Sequence, residues 1–260
     1  MKNLNISPLF LTVWKRNLIV YRRIWKVNFL VPLFEPLFYL AAFGVGLSGL
    51  IGDVVYAETE MSYIRFIAPA LLATAMMFNS FFETTYTSFV RMYYQKTFDA
   101  MLATPLSLEE VITAEIFWGA TKSMLAATVI LLVISVFGFV TYPMGLLIIP
   151  MAFFGGLAFG AIGMCFTGLI PTIDMFNLPV FLFVTPLFLF SGTFFPVSAL
   201  PDWGQSLAVF SPLYHLVEMT RLLTMGLMES NPLLSMTYLA VFTLIFYFLS
   251  IKIMRKRLIK

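Results

Sequence analysis

Charge is scarce in this sequence. Asp, Glu, Lys and Arg make up 11% of its 260 residues, and 60% are hydrophobic. Soluble domains carry roughly 25% charged and 45–50% apolar residues. Cysteine is nearly absent: Cys165 stands alone in an apolar run, which excludes a disulfide framework and a cysteine-based metal site. With His215 as the one histidine, a His/Cys metal cluster is excluded too. No G-x-x-x-x-G-K-[ST] loop occurs, so the chain does not hold ATP in the P-loop manner. H-E-x-x-H and G-x-S-x-G are also missing, and catalysis by this chain alone is not expected.

Long apolar runs are plentiful. A helix needs about 20 apolar residues to cross a bilayer, and the expected spans are 28–50, 63–90, 119–140, 144–169, 176–193 and 233–253. The fold class read from this pattern is an all-α membrane protein with six transmembrane helices, organised as a single transmembrane domain over residues 1–260. Before the first span, "PLFLTVWKRNLIVYRRIWKV" (8–27) places Lys15, Arg16, Arg22, Arg23 and Lys26 within about 120° at 100° per residue, opposite Phe10, Trp14, Leu18, Tyr21 and Trp25. That is the pattern of a helix lying in the membrane interface. A signal peptide is excluded, because the charges lie within the segment and no small-residue cleavage site follows.

Basic residues orient the chain. Lys2 and the basic face above precede the first span, Arg91 and Lys96 lie between the second and third, and Lys252, Arg255, Lys256, Arg257 and Lys260 close the chain. With six spans all fall on one side, so both termini are expected in the cytoplasm of a bacterial or archaeal cell, with the protein in its cytoplasmic (inner) membrane. Asp53, Glu58 and Glu60 fall on the other side. There the outer segment 198–231 is too long for a simple turn. Ser211 caps, Pro212 opens and Gly226 ends an amphipathic helix within it. This outer segment is expected to dip back into the bilayer. His215, Glu218 and Arg221 share one face of the helix. His215 reads either as a substrate contact or as a side chain satisfied by a neighbour such as Glu218.

Glu35, Glu83 and Lys122 are the ionisable residues placed within or near spans, about 5–12 Å from the inner boundary at 1.5 Å per residue. They read as a proton or substrate site, or as an inner-leaflet structural ion pair with Lys122 snorkelling. Gly156 and Gly160 form a G-x-x-x-G whose expected use is helix packing within the subunit. Phe and Met, 29 and 16 in number, mainly serve packing and lipid contact.

One polar stretch interrupts the apolar chain. In the segment 91–110, "QKTFDAMLATPLSLEEV" combines a Ser107–Glu110 capping box, starting a helix near Leu108, with a separate short helix over Met92–Leu102 ended at Thr104-Pro105. Phe98, Met101 and Leu102 cluster on that short helix as an exposed apolar knob, either for docking or for lying flat on the bilayer.

The order of basic interfacial helix, two spans, "FDAMLATPLSLEEVITAEI", two close-set spans, "LFLFSGTFFPVSALPDW" and "SPLYHLVEMTR" resembles the permease subunits of the ABC-2 family. It is most similar to the branch of nodulation lipo-oligosaccharide exporters and their drug- and polysaccharide-exporting relatives. The resemblance covers essentially the whole chain. It implies a six-span subunit that pairs with a second copy of itself and with two copies of a separate ABC ATPase. ATP and Mg would be held by that partner, and no cofactor by this chain. The resemblance makes the segment between the second and third spans a coupling helix, with Tyr93, Phe98, Asp99, Met101 and Leu102 as the ATPase contact. The expected cargo is an amphiphile, a lipid-linked saccharide or lipo-oligosaccharide, with membrane lipids around it and no nucleic acid. Phe38, Phe78, Phe82, Phe181 and Thr185, on the first, second and fifth spans, are the expected path. The alternatives are a multidrug or other hydrophobic-compound exporter subunit, a proton-coupled transporter using Glu35, Glu83 and Lys122, and a membrane enzyme acting on lipids.

Overall fold

The computed structural model describes residues 7–47 and 52–259, without the side chains of 27–29, 31–33, 35, 36, 44, 45 and 47. Helix α1 is Phe10–Arg23. After a break at Ile24, α2 runs over Trp25–Ala41 and continues in wide turns over Ala42–Leu47. Among the described residues five helices are long and apolar enough to cross a membrane: α3 (Tyr63–Tyr94), α5 (Leu108–Val136), α6 (Met144–Leu169, opening on a 3-10 turn), α7 (Ile173–Phe190) and α10 (Pro232–Leu258). Between α3 and α5 lies the six-residue helix α4, Thr97–Leu102. Between α7 and α10 lie α8 (Asp202–Val209) and α9 (Pro212–Met225). The protein is an all-helical membrane protein, apart from one hairpin. The first expected span, 28–50, falls largely on α2 and partly outside the described residues.

Local chemistry sets the helix ends. Ser107 caps α5 through the capping box: Glu110 N–H donates to Ser107 Oγ (3.3 Å), and Ser107 N–H to Glu110 Oε2 (2.8 Å). Ser211 and Asn231 cap α9 and α10, each followed by a proline at the first helical position. Gly226, at φ +73°, ends α9 in the left-handed conformation that glycine adopts without strain.

Strands β1 (Asp53–Tyr56) and β2 (Thr59–Ser62) pair antiparallel, with Asp53 opposite Ser62 and Tyr56 opposite Thr59. The sequence reading contained no hairpin. Its two-residue turn is Ala57-Glu58, both at positive φ. That backbone normally announces itself by Asn-Gly or Asp-Gly, so the signal was missing.

Helices α3, α5 and α6 form the centre through small residues. A Cβ on Gly156 would lie 2.7 Å from Ala120 Cα, one on Gly160 2.8 Å from Ser80 Oγ, and one on Gly163 2.3 Å from Thr84 Oγ1. Hydroxyls bond across the same seams: Ser80 Oγ donates to Gly156 O (2.5 Å), Ser123 Oγ to Ala152 O (3.0 Å) and Thr167 Oγ1 to Thr84 O (2.6 Å). Without water to drive helices together, such close approach and hydrogen bonding supply the association. The G-x-x-x-G thus packs within the subunit. Helices α7 and α10 are peripheral and leave most of their apolar surface exposed.

Contacts also define two ends. At the basic end, Ser7 N–H and Oγ donate to Glu110 Oε1 (2.9 and 2.5 Å), Arg255 pairs with Glu109, and Arg257 Nη1 donates to Thr167 O and Ile170 O (both 2.5 Å). The tail of α10 thereby satisfies carbonyls at the C-terminus of α6, where a cation also complements the helix dipole. At the other end, Tyr56 reaches Glu218, Tyr63 OH donates to Phe194 O (3.1 Å), and Thr141 N–H to Thr224 O (2.7 Å).

The structure corrects several expectations. The aromatic side of α1 packs on α5 rather than into lipid: Phe10 meets Phe117, and Trp14 and Tyr21 both meet Trp118 in edge-on contacts. Trp14 Nε1 donates to Thr121 Oγ1 at 2.9 Å. Of that side, only Trp25, past the break, remains exposed. Helix α3 runs past the expected 90 on to Tyr94, and α5 starts at Leu108, where the capping box placed it, and runs through the third expected span. The short helix therefore begins at Thr97, not Met92. Phe98 and Met101 are buried against Phe89, Leu108 and Ile112 and form no exposed knob, and Leu102 is half-buried. A short helix tethered between two long ones turns its apolar residues toward the only core within reach.

Candidate functional site

Four charged side chains meet in the interior between α3 and α5. Arg91 Nη1 pairs with Glu83 Oε1 at 2.7 Å, and Arg91 Nε donates to Glu115 Oε2 at 3.0 Å, with Nη2 on the same oxygen. Lys122 Nζ holds Glu83 Oε2 at 2.9 Å. Asn17 Nδ2, from α1, donates to Glu115 Oε1 at 3.0 Å, and Ser88 Oγ donates to Oε2. Asn17, Glu83, Arg91 and Glu115 are all buried. Each carboxylate oxygen has a donor, as buried charge requires.

Backbone winding assembles the cluster. Helix α3 carries two π turns, Glu83–Thr87 and Val90–Tyr94. In a regular helix Glu83 and Arg91, eight positions apart, diverge by about 80°. One inserted residue makes eight positions equivalent to seven and returns both to one side. Thr84 Oγ1 and Thr85 Oγ1 donate to Ser80 O and Phe81 O at 2.9 and 2.6 Å, and such back-bonding loosens the regular ladder. Glu115 and Lys122 lie two turns apart on the facing side of α5.

Of the residues expected here, Glu83 and Lys122 meet, and the Glu35 side chain lies outside the described residues. Arg91, expected between the second and third spans, is a buried residue within helix α3. Glu115 and Asn17 were missed. The signal available for Glu115 was a charged pair spaced at two turns on an apolar helix.

Above the cluster opens a pocket of about 420 Å³ lined by Tyr39, Phe78, Asn79, Phe82, Glu83, Thr87 and Lys122. Phe78 and Phe82 stack with centroids 5.7 Å apart and planes at 8°. Phe78 also touches Phe188 of α7. The expected path residues therefore divide. Phe78 and Phe82 line the pocket. Phe38 and Phe181 are each 69% exposed on the outside of the subunit, and Thr185 Oγ1 is turned to its own helix, donating to Val180 O at 3.0 Å.

From the end of α3 into α4, Tyr93, Tyr94, Lys96 and Asp99 are exposed. Lys96 lies over the Tyr93 ring, 5.4 Å from its centroid.

At the hairpin end, His215, Glu218 and Arg221 are all buried. His215 is satisfied by Val209 O (2.8 Å) and Ser235 Oγ (3.0 Å) and packs on Tyr238, not on Glu218. Glu218 accepts Tyr56 OH (2.7 Å) and the Glu229 and Ser230 N–H groups (2.9 and 3.2 Å). Arg221 donates to Gly192 O (2.6 Å) within "SGTFFP" and lies between the Tyr56 and Phe66 rings. Burial and the Glu218 carboxylate push the Glu229 carboxyl above its ordinary value. Its raised folded pKa favours the protonated folded form, so this stabilisation is present at low pH and lost as pH rises through the folded pKa. Glu229→Gln is therefore expected to raise the Tm at pH 7.5 and to leave it unchanged at pH 4, measured by thermal unfolding in detergent.

The sequence profile described as ABC-2 type transporter matches residues 8–225. The chain is similar to Nodulation protein J of Rhizobium leguminosarum bv. trifolii, 35% identical over 251 residues, covering 96% of this chain and 94% of the relative. It is also similar to Nodulation protein J of Sinorhizobium fredii, 33% identical over 250 residues with the same coverages. Inner membrane transport permease YadH of Escherichia coli is 22% identical over 244 residues, 91% of this chain and 90% of that one. With most of its length matched by the family profile, this chain belongs to the ABC-2 type transporter family.

Proposed function

We propose that this protein is the six-span permease subunit of an ABC exporter. In this reading it pairs with a second copy of itself and with two copies of a separate ATPase that carries ATP and Mg. It moves an amphiphile, a lipid-linked saccharide or lipo-oligosaccharide, outward across the cytoplasmic membrane. Residues 1–260 act as one domain with both termini in the cytoplasm. The observation that carries the reading is the joining of the coupling segment to the buried cluster. Thr97 Oγ1, at the start of α4, donates to the Arg91 carbonyl at 2.8 Å, and Arg91 holds Glu83 and Glu115. A push on α4 reaches α3, α5 and α1 together. The relatives named Nodulation protein J support the saccharide cargo. Against a proton-coupled cycle stands the engagement of Glu83 and Glu115: every one of their carboxylate oxygens already accepts from a cation or a neutral donor.

The test asks first whether an ABC ATPase gene adjoins this one, then co-purifies the chain with such an ATPase and measures hydrolysis in reconstituted vesicles. Glycolipid fractions of the native membrane stimulate hydrolysis if the reading holds. Stimulation by soluble ions alone, or no ATPase capture, refutes it. The docking surface is tested separately. Asp99 is exposed, so Asp99→Lys keeps the wild-type Tm while ATPase capture falls about tenfold or more through a reversed interface charge. Phe98 is buried, so Phe98→Ala instead costs about 3–5 kcal/mol of stability. Equal capture by Asp99→Lys and wild type would remove α4 from the interface.

A further inference from the structure

We infer that the pocket between α2, α3 and α5 is a reading site for a neutral sugar, taking one or two rings of the cargo's headgroup within a single subunit. The inference rests on the exporter reading and assigns the headgroup site.

Size sets the first limit. About 420 Å³ lies near the lower end of the roughly 300–1,000 Å³ typical of small-molecule sites. That holds a sugar unit and leaves an acyl chain outside, against the exposed apolar faces of α2 and α7. The lining sets the second. Phe78, Phe82 and Tyr39 form an aromatic wall, and Asn79, Glu83, Thr87 and Lys122 a polar one. Aromatic faces carry negative quadrupole density and receive the C–H face of a pyranose. Hydroxyls at the ring edge need both donors and acceptors. An ammonium has three donors, and Lys122 commits one of them to Glu83.

Charge decides between headgroups. Among the described residues Glu83 and Lys122 are the charged groups of the lining, and they neutralise each other. A phosphate entering here would meet the Glu83 carboxylate, and Lys122, the one cation of the lining among the described residues, is already paired with that carboxylate. A cationic group would find both Glu83 oxygens already bonded to Arg91 and Lys122. A neutral, hydroxyl-rich group meets neither penalty. The backbone agrees with a ligand site: the π turn Glu83–Thr87 presents both of its end residues to the pocket, and such bulges concentrate at functional sites.

The experiment uses the full chain in lipid nanodiscs without ATPase, so its result is independent of whether the ATPase assay succeeds. Two probes are compared: decyl maltoside with a diazirine on the sugar-proximal carbon, and decyl phosphate carrying the same group on the same chain. Labelled residues are found by mass spectrometry. The expected result is maltoside labelling within residues 78–87, competed by unlabelled maltoside, and reduced about tenfold by Phe82→Ala and by Lys122→Gln. Thr87 is exposed, so Thr87→Val keeps the fold while still reducing labelling several-fold. Stronger labelling by the phosphate probe, no labelling in 78–87, or labelling untouched by Thr87→Val and Phe82→Ala would each overturn the inference.

Discussion

Arg91→Ala is expected to deplete the protein from the membrane. The substitution leaves Glu115 with only Asn17 and Ser88 as neutral donors and strips one of two cations from Glu83. Removing one partner of a buried ion pair costs about 3–5 kcal/mol, because the other charge is stranded. That is a large share of the roughly 5–15 kcal/mol that holds a typical domain together. The rescue follows from the same geometry. Lys122 still pairs with Glu83, so neutralising Glu115 alone removes the stranded charge. Arg91→Met with Glu115→Gln should recover most of the membrane yield and the Tm lost by Arg91→Ala, both read by fluorescence size-exclusion after heating. A wild-type Tm in Arg91→Ala would show that the cluster is not a stabilising element.

Gly156→Leu is expected to be as severe by a different route. Even the first side-chain atom would lie 2.7 Å from Ala120 Cα and from Ser123 Cβ. The obstacle is backbone, which cannot rotate away, so α5 and α6 must separate. Separation also loses the bond from Ser123 to Ala152 O. Overpacking costs about 1–3 kcal/mol where side chains can give, and more where they cannot. Gly46 is the control, since a Cβ added there would meet nothing within 4 Å. Gly156→Leu should lose folded protein while Gly46→Leu keeps it. Equal yields of the two would mean that the seam between α5 and α6 is loose.

These two sites differ in how far the sequence reveals them. Gly156 and Gly160 are legible, because small residues one turn apart in an apolar run have one common use. The capping box at Ser107 and the Ser211–Gly226 helix are legible for the same reason: each is a local rule satisfied within a few residues. Arg91 is not. Its neighbours Tyr93, Tyr94, Gln95 and Lys96 are polar or aromatic, yet helix α3 runs through Arg91 to Tyr94, with Arg91 paired to Glu83 of the same helix and Glu115 of α5. Tertiary pairing overrides the local pattern there. Phe98 and Met101 show the converse. Their spacing marks an apolar face correctly, but periodicity does not say whether that face meets a partner or the chain's own core. The hairpin escapes notice because Ala57-Glu58 adopts a turn that its side chains do not advertise. In the pocket, Phe78 and Phe82 are within reach of the sequence pattern, and their meeting with Lys122 depends on how α3 packs on α5, which local pattern does not specify.

The arithmetic of the buried cluster has an electrical meaning. Glu83, Arg91, Glu115 and Lys122 sum to zero and are mutually bonded. Carrying one elementary charge through a membrane potential exchanges about 2.3 kcal/mol per 100 mV. A bundle of ions with no net charge exchanges none when it moves as a unit along the membrane normal; only its dipole, when it turns, feels the field. The voltage across the bilayer therefore gains no purchase on a shift of this cluster, as a unit, along the membrane normal.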